Sequence, residues 1–279
     1  MSAHSAAAAD AKDRFKIIGF TKPFQDIGFE QTAKVVAEIG WTGIECPVRA
    51  KGQVLPERVE EDLPRLHEAL QKNGLDLTLA TTDIHSVDPL NERVLRTAAK
   101  LGVRRYRLGP VHYDLKKPIP PQLANYKAQL RDLAALNKDL GVAGGLQNHS
   151  GGDYIGAPVW DIYELVHDID PEHLGCCFDI CHATIEGGLC WPVHARLMEP
   201  FFVVPYVKDF YWKKTETGWV EQVCPLGEGM VHAAAYFAWL KSTSYSGPIS
   251  HHIEFQTGAG PEEVRKMRED CGRVKALLA

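Results

Sequence analysis

The feature that most constrains this chain is a punctuation mark. An amphipathic stretch runs into glycine, and a short apolar run follows at once. Glu38-Ile39-Gly40, Lys72-Asn73-Gly74, Lys100-Leu101-Gly102 and Asp139-Leu140-Gly141 all carry it. Glycine supplies the left-handed backbone that ends a helix, and the chain then leaves in a new direction. Upstream of these marks, apolar residues recur at three-and-four spacing through 32–39, 59–70, 94–101 and 123–140, the period of a helix buried on one face. The apolar runs continue through the chain and predict eight strands: 16–20, 43–46, 75–81, 104–108, 142–148, 174–180, 202–208 and 249–255. Strands that alternate with helices pair in parallel. With 279 residues, one closed α/β barrel accommodates them better than two small domains. The expected fold is a single-domain (β/α)8 TIM barrel over residues 15–279. A doubly wound open sheet is disfavoured, because no Gly-x-Gly-x-x-Gly follows the first strand.

Residues 1–14 form an Ala-rich tail, expected to be disordered, without the apolar core or basic start of a working signal peptide. The expected location is cytoplasmic, with an exported form whose signal has been clipped as the alternative. Seven cysteines, an odd number in no small-scaffold spacing, suit a reducing compartment and free thiols. A net charge of −5 argues against a nucleic-acid backbone as partner. No apolar run approaches the roughly 18 residues a membrane helix needs.

Side chains alternate along a strand, so parity sorts the barrel interior from the helix layer. In the fourth strand Tyr106 and Leu108 suit the helix layer, which leaves Arg105 and Arg107 pointing inward, Arg107 nearer the C-terminal end. Gln147 and His149 share a face in the fifth strand. Cys177, Asp179 and Cys181 share one in the sixth, Tyr206 and Lys208 in the seventh, and Ser250, His252 and Glu254 in the eighth. Polar groups from several strands therefore converge on one mouth, where TIM barrels keep their chemistry. Any one of them alone reads equally well as an ion-pair partner. The convergence of the whole set reads as a site. Glu45, at the end of the second strand, belongs to the mouth as a substrate-binding or acid/base group, or as a partner for Arg49. Trp41, Trp191 and Trp212 lie near strand or loop junctions, where a ring stacks on a sugar or simply packs. Gly187-Gly188 and Gly227–Gly229 are expected to mark mobile mouth loops.

Four stretches, Gly145-Leu146-Gln147-Asn148-His149, Phe178-Asp179-Ile180-Cys181-His182, Tyr206-Val207-Lys208-Asp209 with Pro225-Leu226-Gly227-Glu228-Gly229 downstream, and Ile253-Glu254-Phe255, resemble in order and spacing the xylose-isomerase-like TIM barrels, the AP-endonuclease-2-type sugar isomerases and epimerases. The resemblance covers nearly the whole chain. It implies a small sugar substrate, no nucleic-acid or membrane partner, and a possible homo-oligomer. It also implies a divalent cation held at Gln147, Asp179, Tyr206 and Glu254, where the family usually has Glu, Asp, His and Glu. Tyr is a poor ligand, so Gln147, Asp179 and Glu254 remain as the metal set. Oxygen ligands suit Mg²⁺ or Mn²⁺, and a nitrogen from His149 or His182 shifts the balance toward Mn²⁺ or Zn²⁺. The alternative is a metal-free pocket with Lys208 between the carboxylates.

The implied chemistry is isomerisation or epimerisation through an enediolate. Gln147 stands at one of the family's two base positions and cannot serve as a base. Glu254 is left as base, with His182 or Lys208 as its acid partner. Arg107, His149, Tyr206 and Glu45 are the expected substrate-binding groups. One-base elimination, as in a keto-sugar or cyclitol lyase or dehydratase, is the runner-up. An endonuclease IV-like repair enzyme and a non-catalytic sugar-binding protein are more distant alternatives.

Overall fold

Gly40, Gly74, Gly102 and Gly141 all adopt left-handed backbone, with φ between 64° and 90°, so each glycine stop expected from the sequence is one. The structure is a computed structural model that describes residues 14–279. All but the last residue of the Ala-rich tail lies outside the described residues.

The chain runs β1 (Phe15–Phe20), α1 (Phe29–Ile39), β2 (Gly43–Val48), α2 (Val59–Gln71), β3 (Asp76–Thr82), α3 (Pro89–Lys100), β4 (Arg105–Arg107), α4 (Ile119–Leu140), β5 (Ala143–Gln147), α5 (Val159–Val166) and β6 (Leu174–Asp179). It continues with α6 (Ile180–Gly187), α7 (Trp191–Met198), β7 (Phe202–Val207), β8 (Asp209–Thr215), β9 (Gly218–Cys224), α8 (Ala233–Ser242), β10 (Gly247–His251) and α9 (Pro261–Leu278). Strands β1 to β7 pair in sequence order, and β10 closes the barrel between β7 and β1, with every barrel pairing parallel. The expected TIM barrel is present. No helix of the described residues is long and apolar enough to cross a membrane.

The larger apolar layer lies between barrel and helices, where Val36, Ile44, Leu66, Leu133, Phe178 and Tyr236 are fully buried. A smaller plug of Ile18, Leu79, Cys177, Val203, Val204 and Tyr206 fills the barrel axis. Most of the ionisable residues named from the sequence lie beyond this plug, toward the C-terminal strand ends. Gly19 is a glycine for a steric reason: a Cβ there would overlap the Trp41 ring, which sits buried on the outer side of β1. Gly19→Ala is expected to cost about 1–3 kcal/mol through overpacking. A thermal melt should show a fall of about 2–4 °C per kcal/mol.

Four differences from the sequence expectations bear on the site. The sixth strand stops at Asp179, whose carboxylate accepts hydrogen bonds from the backbone N–H of Cys181 (3.0 Å) and His182 (3.3 Å) and caps α6. Cys181 therefore sits in a helical first turn and not on the inward strand face with Cys177. The eighth barrel strand ends at His251, so Glu254 is carried by a loop. The stretch after β7 is an antiparallel hairpin, β8 paired with β9, which the sequence reading missed. Its aromatic and charged residues do not alternate cleanly because much of it stands in solvent. Gly227–Gly229, expected to be a mobile mouth loop, is tied down. The Asp209 carboxylate accepts from the N–H groups of Gly227 (2.9 Å), Gly229 (3.1 Å) and Val231 (2.9 Å).

Trp41 and Trp191 are buried in packing, while Trp212 is exposed on the hairpin. All seven cysteines are free, and only Cys190 is exposed.

Candidate active site

Asp179 anchors the mouth. One carboxylate oxygen caps α6, and the other accepts from Gln147 Nε2 at 2.9 Å. The same second oxygen lies 3.5 Å from Lys208 Nζ and 3.6 Å from His182 Nε2. Burial alone would raise the acid's pKa, but the Lys208 charge outweighs it and holds the carboxyl well below the usual range. Lys208, one residue beyond β7, also reaches Glu254 Oε1 at 3.0 Å. Its burial is more than offset by the two carboxylates, so its pKa is raised and it stays an ammonium. Glu254 takes a second cation, Lys22, at 2.7 Å on its other oxygen. Burial is again overcome, and Glu254 is held far below the carboxylate range.

Toward the barrel axis beneath Lys208 lies a second buried carboxylate, Glu45. It accepts hydrogen bonds from Thr81 Oγ1 and Ser250 Oγ, from Tyr206 Oη at 3.0 Å and from His252 Nε2 at 3.0 Å. These four donors fill a carboxylate's acceptor sites. Burial pushes the Glu45 pKa up, but His252 and Arg107 bring it down to about 2. His252 is held between Glu45 and Glu254, whose Oε1 is 3.8 Å from its Nδ1. Its burial is outweighed by Glu45, and its pKa is raised.

The opposite wall carries His182 and His149. The Ser150 hydroxyl bridges Glu221 Oε2 (3.0 Å) and His182 Nδ1 (2.9 Å). A hydroxyl that donates to a carboxylate must accept from the imidazole, which makes His182 the Nδ1–H tautomer. Its Nε2 lone pair is buried without a hydrogen-bond partner. Burial, helped by Lys208, pushes the His182 pKa well below 6.5, so the ring is neutral. His149 stacks on it, with ring centroids 4.0 Å apart, and bonds the Ser150 carbonyl through Nδ1. Arg107 donates from Nη1 to Gln147 Oε1 at 2.6 Å, so the Gln147 amide is polarised with its oxygen toward Arg107 and its N–H toward Asp179.

A sequence profile described as xylose isomerase-like TIM barrel matches residues 33–276. The chain belongs to the xylose isomerase-like TIM barrel family. Solved structures agree at the level of fold. A D-psicose 3-epimerase from Clostridium cellulolyticum H10, crystallised with D-tagatose, superposes with a TM-score of 0.72 at 13% identity, covering 94% of this chain and 99% of that one. The E. coli 3-keto-D-glucoside 4-epimerase gives 0.70 at 16% identity, with 94% and 99% coverage. A xylose isomerase-like TIM barrel protein from Mycobacterium smegmatis in complex with magnesium gives 0.70 at 14% identity, with 94% and 96% coverage. No curated protein sequence matches.

Within this family the divalent-ion expectation is tested by what each ligand position does here. Gln147 turns its N–H toward Asp179 and its oxygen toward Arg107. Tyr206 is fully buried and commits its hydroxyl to Glu45. Asp179 and Glu254 are joined through the Lys208 ammonium. Among the described residues no group of three or more His, Cys, Asp or Glu side chains is arranged to hold a metal. The orphaned His182 Nε2 offers one ligand atom beside Asp179. The residues as arranged do not fit a divalent cation, because a hydrogen-bonded ammonium already neutralises the pair.

The expected residues thus separate into two sets. Asp179, Gln147, Lys208, Glu254, His182, His149 and Arg107 come together at the mouth. Glu45 and Tyr206, expected to touch substrate, are bonded to each other in the floor, and Glu45 is not the partner of Arg49. Arg105 lies at the opposite end of the barrel, beside a cavity shared with Lys16 and Gly247. Ser150, Glu221, Lys22 and Tyr154 were missed. Glu221 arrives on the unrecognised hairpin, and Ser150 follows directly after the Gln147-Asn148-His149 segment, where its position was the available signal.

The floor makes stability depend on pH in two directions. Glu45 has a depressed folded pKa, so its contribution is full above about 4.5 and is lost as pH falls toward about 2. His252 has a raised one, so its contribution is full below about 6.5 and is lost as pH climbs through the folded value. Urea melts across pH are expected to show an alkaline decline in the wild type that is reduced in His252→Gln.

Proposed function

We propose that the chain is a sugar isomerase of its family that moves a proton between the carbonyl carbon and the neighbouring hydroxyl-bearing carbon of a small aldose or ketose, with Lys208 in place of a divalent ion. The observation that carries this reading is the buried ammonium of Lys208 between Asp179 and Glu254, facing the unpartnered lone pair of His182. Lys208 donates to the substrate carbonyl oxygen and stabilises the charge that develops there as the enediolate forms. A substrate oxygen that draws Lys208 away leaves Glu254 with Lys22 and the more distant His252, and raises its basicity. Glu254 then takes the proton from the adjacent carbon. His182 Nε2 accepts the proton of the neighbouring hydroxyl and returns one to the old carbonyl oxygen. Glu254 delivers its proton to the other carbon, and the bonds balance with no co-reactant.

Gln147 supplies no second base, so exchange at one face is favoured over a symmetric two-base epimerisation. The test is deuterium incorporation from D2O into a panel of aldoses and ketoses, followed by mass spectrometry with and without EDTA. Isomers labelled at carbon, formed equally with chelator, are expected. A product lighter by one water would make the enzyme a lyase. Activity that collapses with EDTA, together with a metal-induced rise in Tm abolished by Asp179→Ala, would restore a metal-centred site.

A further inference from the structure

Two arginines at the mouth make no direct ion pair with a carboxylate among the described residues. Arg107 ends β4 and is only 8% exposed. It gives one N–H to the neutral Gln147 oxygen, while its Nε is buried with no hydrogen-bond partner. Arg49, half-buried one residue beyond β2, makes no side-chain hydrogen bond or ion pair among the described residues. Their guanidinium carbons lie 5.8 and 5.9 Å from the centre of the same Phe20 ring, so two like charges share one small neighbourhood. Both line one cavity of about 150 Å³ with Gln147, His149 and Tyr154. The nearest floor carboxylate, Glu45, is already saturated by its four donors. Lys208, the buried cation next door, is fully paired. The chain as a whole carries −5, so this is a local concentration of positive charge and not part of a basic surface.

We infer that the Arg49–Arg107 pair holds an anionic end of the substrate, a carboxylate or a phosphate, while the substrate's carbonyl lies at Lys208. The inference rests on the sugar-isomerase reading and narrows its substrate class to anionic sugars. Unpaired guanidiniums facing a cavity are costly unless a ligand neutralises them, and their forked donors match both kinds of oxyanion. The cavity holds about five water-sized groups, enough for one such head group. Gln147 links the two ends of the site, since it accepts from Arg107 and donates to Asp179. An anion that engages Arg107 thereby acts on the carboxylate that orients Lys208.

The experiment is a thermal shift and calorimetric titration of the intact protein with inorganic phosphate, glycolate and, as neutral control, ethylene glycol. Stabilisation by about 3 °C or more with an anion, and none with the control, is expected. Arg49→Gln, near the surface and so compatible with folding, should weaken anion binding about tenfold, with partial rescue in Arg49→Lys. A preference for glycolate assigns a sugar acid, and a preference for phosphate assigns a phosphate ester. No stabilisation by either anion, or equal stabilisation in Arg49→Gln, overturns the inference. Proton exchange on neutral sugars that is indifferent to Arg49→Gln sinks this proposal and leaves the isomerase reading intact. Anion binding without exchange on any sugar or sugar acid does the reverse.

Discussion

Lys208→Met is expected to destabilise the fold by about 3–5 kcal/mol, the range for removing one partner of a buried ion pair. The side chain is 6% exposed and stands between Asp179, fully buried, and Glu254, 20% exposed. Asp179 keeps its bonds from Gln147 and the α6 backbone, but it loses the strongest charge that holds it ionised. Both acids should then titrate at higher pH, so the variant's deficit is greatest at neutral pH and shrinks as pH falls and the carboxyls are protonated. Chemical denaturation from pH 4 to 8 measures this. The variant also vacates the space between two carboxylates. Mn²⁺ or Mg²⁺ should therefore raise the Tm of Lys208→Met more than that of the wild type. A variant as stable as the wild type at pH 7 would mean that Lys208 contributes no net charge compensation.

Glu254→Gln is expected to leave the fold close to wild type and to lower deuterium exchange about 10²–10⁴-fold, the usual contribution of a positioned general base. Glutamine keeps the shape and one acceptor oxygen for Lys208, while its NH2 displaces Lys22, whose half-exposed ammonium can turn to solvent. Lys208 retains its charge partner in Asp179, so the stability loss should be well below that of Lys208→Met. If Glu254 is the base, kcat falls while KM changes little. Exchange that persists in Glu254→Gln and is lost in His182→Asn would move the base to the imidazole, whose unpartnered Nε2 lies beside Asp179.

The contrast between these two variants depends on how the mouth is wired, and that wiring was only partly legible in the sequence. Parity along the strands correctly brought Arg107, Gln147, Asp179 and Lys208 to one end of the barrel, because a strand's alternation is set by its own backbone. Parity was less secure where an element ended early. Asp179 stops β6 by capping α6, a choice made by its carboxylate and two backbone N–H groups. The residues after His251 leave the ladder, so Glu254 reaches Lys208 from a loop.

Which polar group pairs with which is a question of distance in three dimensions. Glu45 is separated from His252 by 207 residues and from Tyr206 by 161, and nothing in the local pattern links them. The family's ligand positions pointed to a cation between Asp179 and Glu254, and the folded chain supplies one as Lys208. The hairpin that delivers Glu221 to Ser150 left no period to read, since most of its surface faces solvent.

The sequence by itself determined the barrel. Helix period, glycine stops and apolar runs are local, repeat along the chain and have one closed solution as parallel strands with crossover helices. Only the tertiary structure decided the chemistry of the mouth. Charge compensation, tautomer and hydrogen-bond saturation depend on groups brought together from distant strands, and the low dielectric of the barrel makes each such pairing strong enough to set which atoms remain free to act.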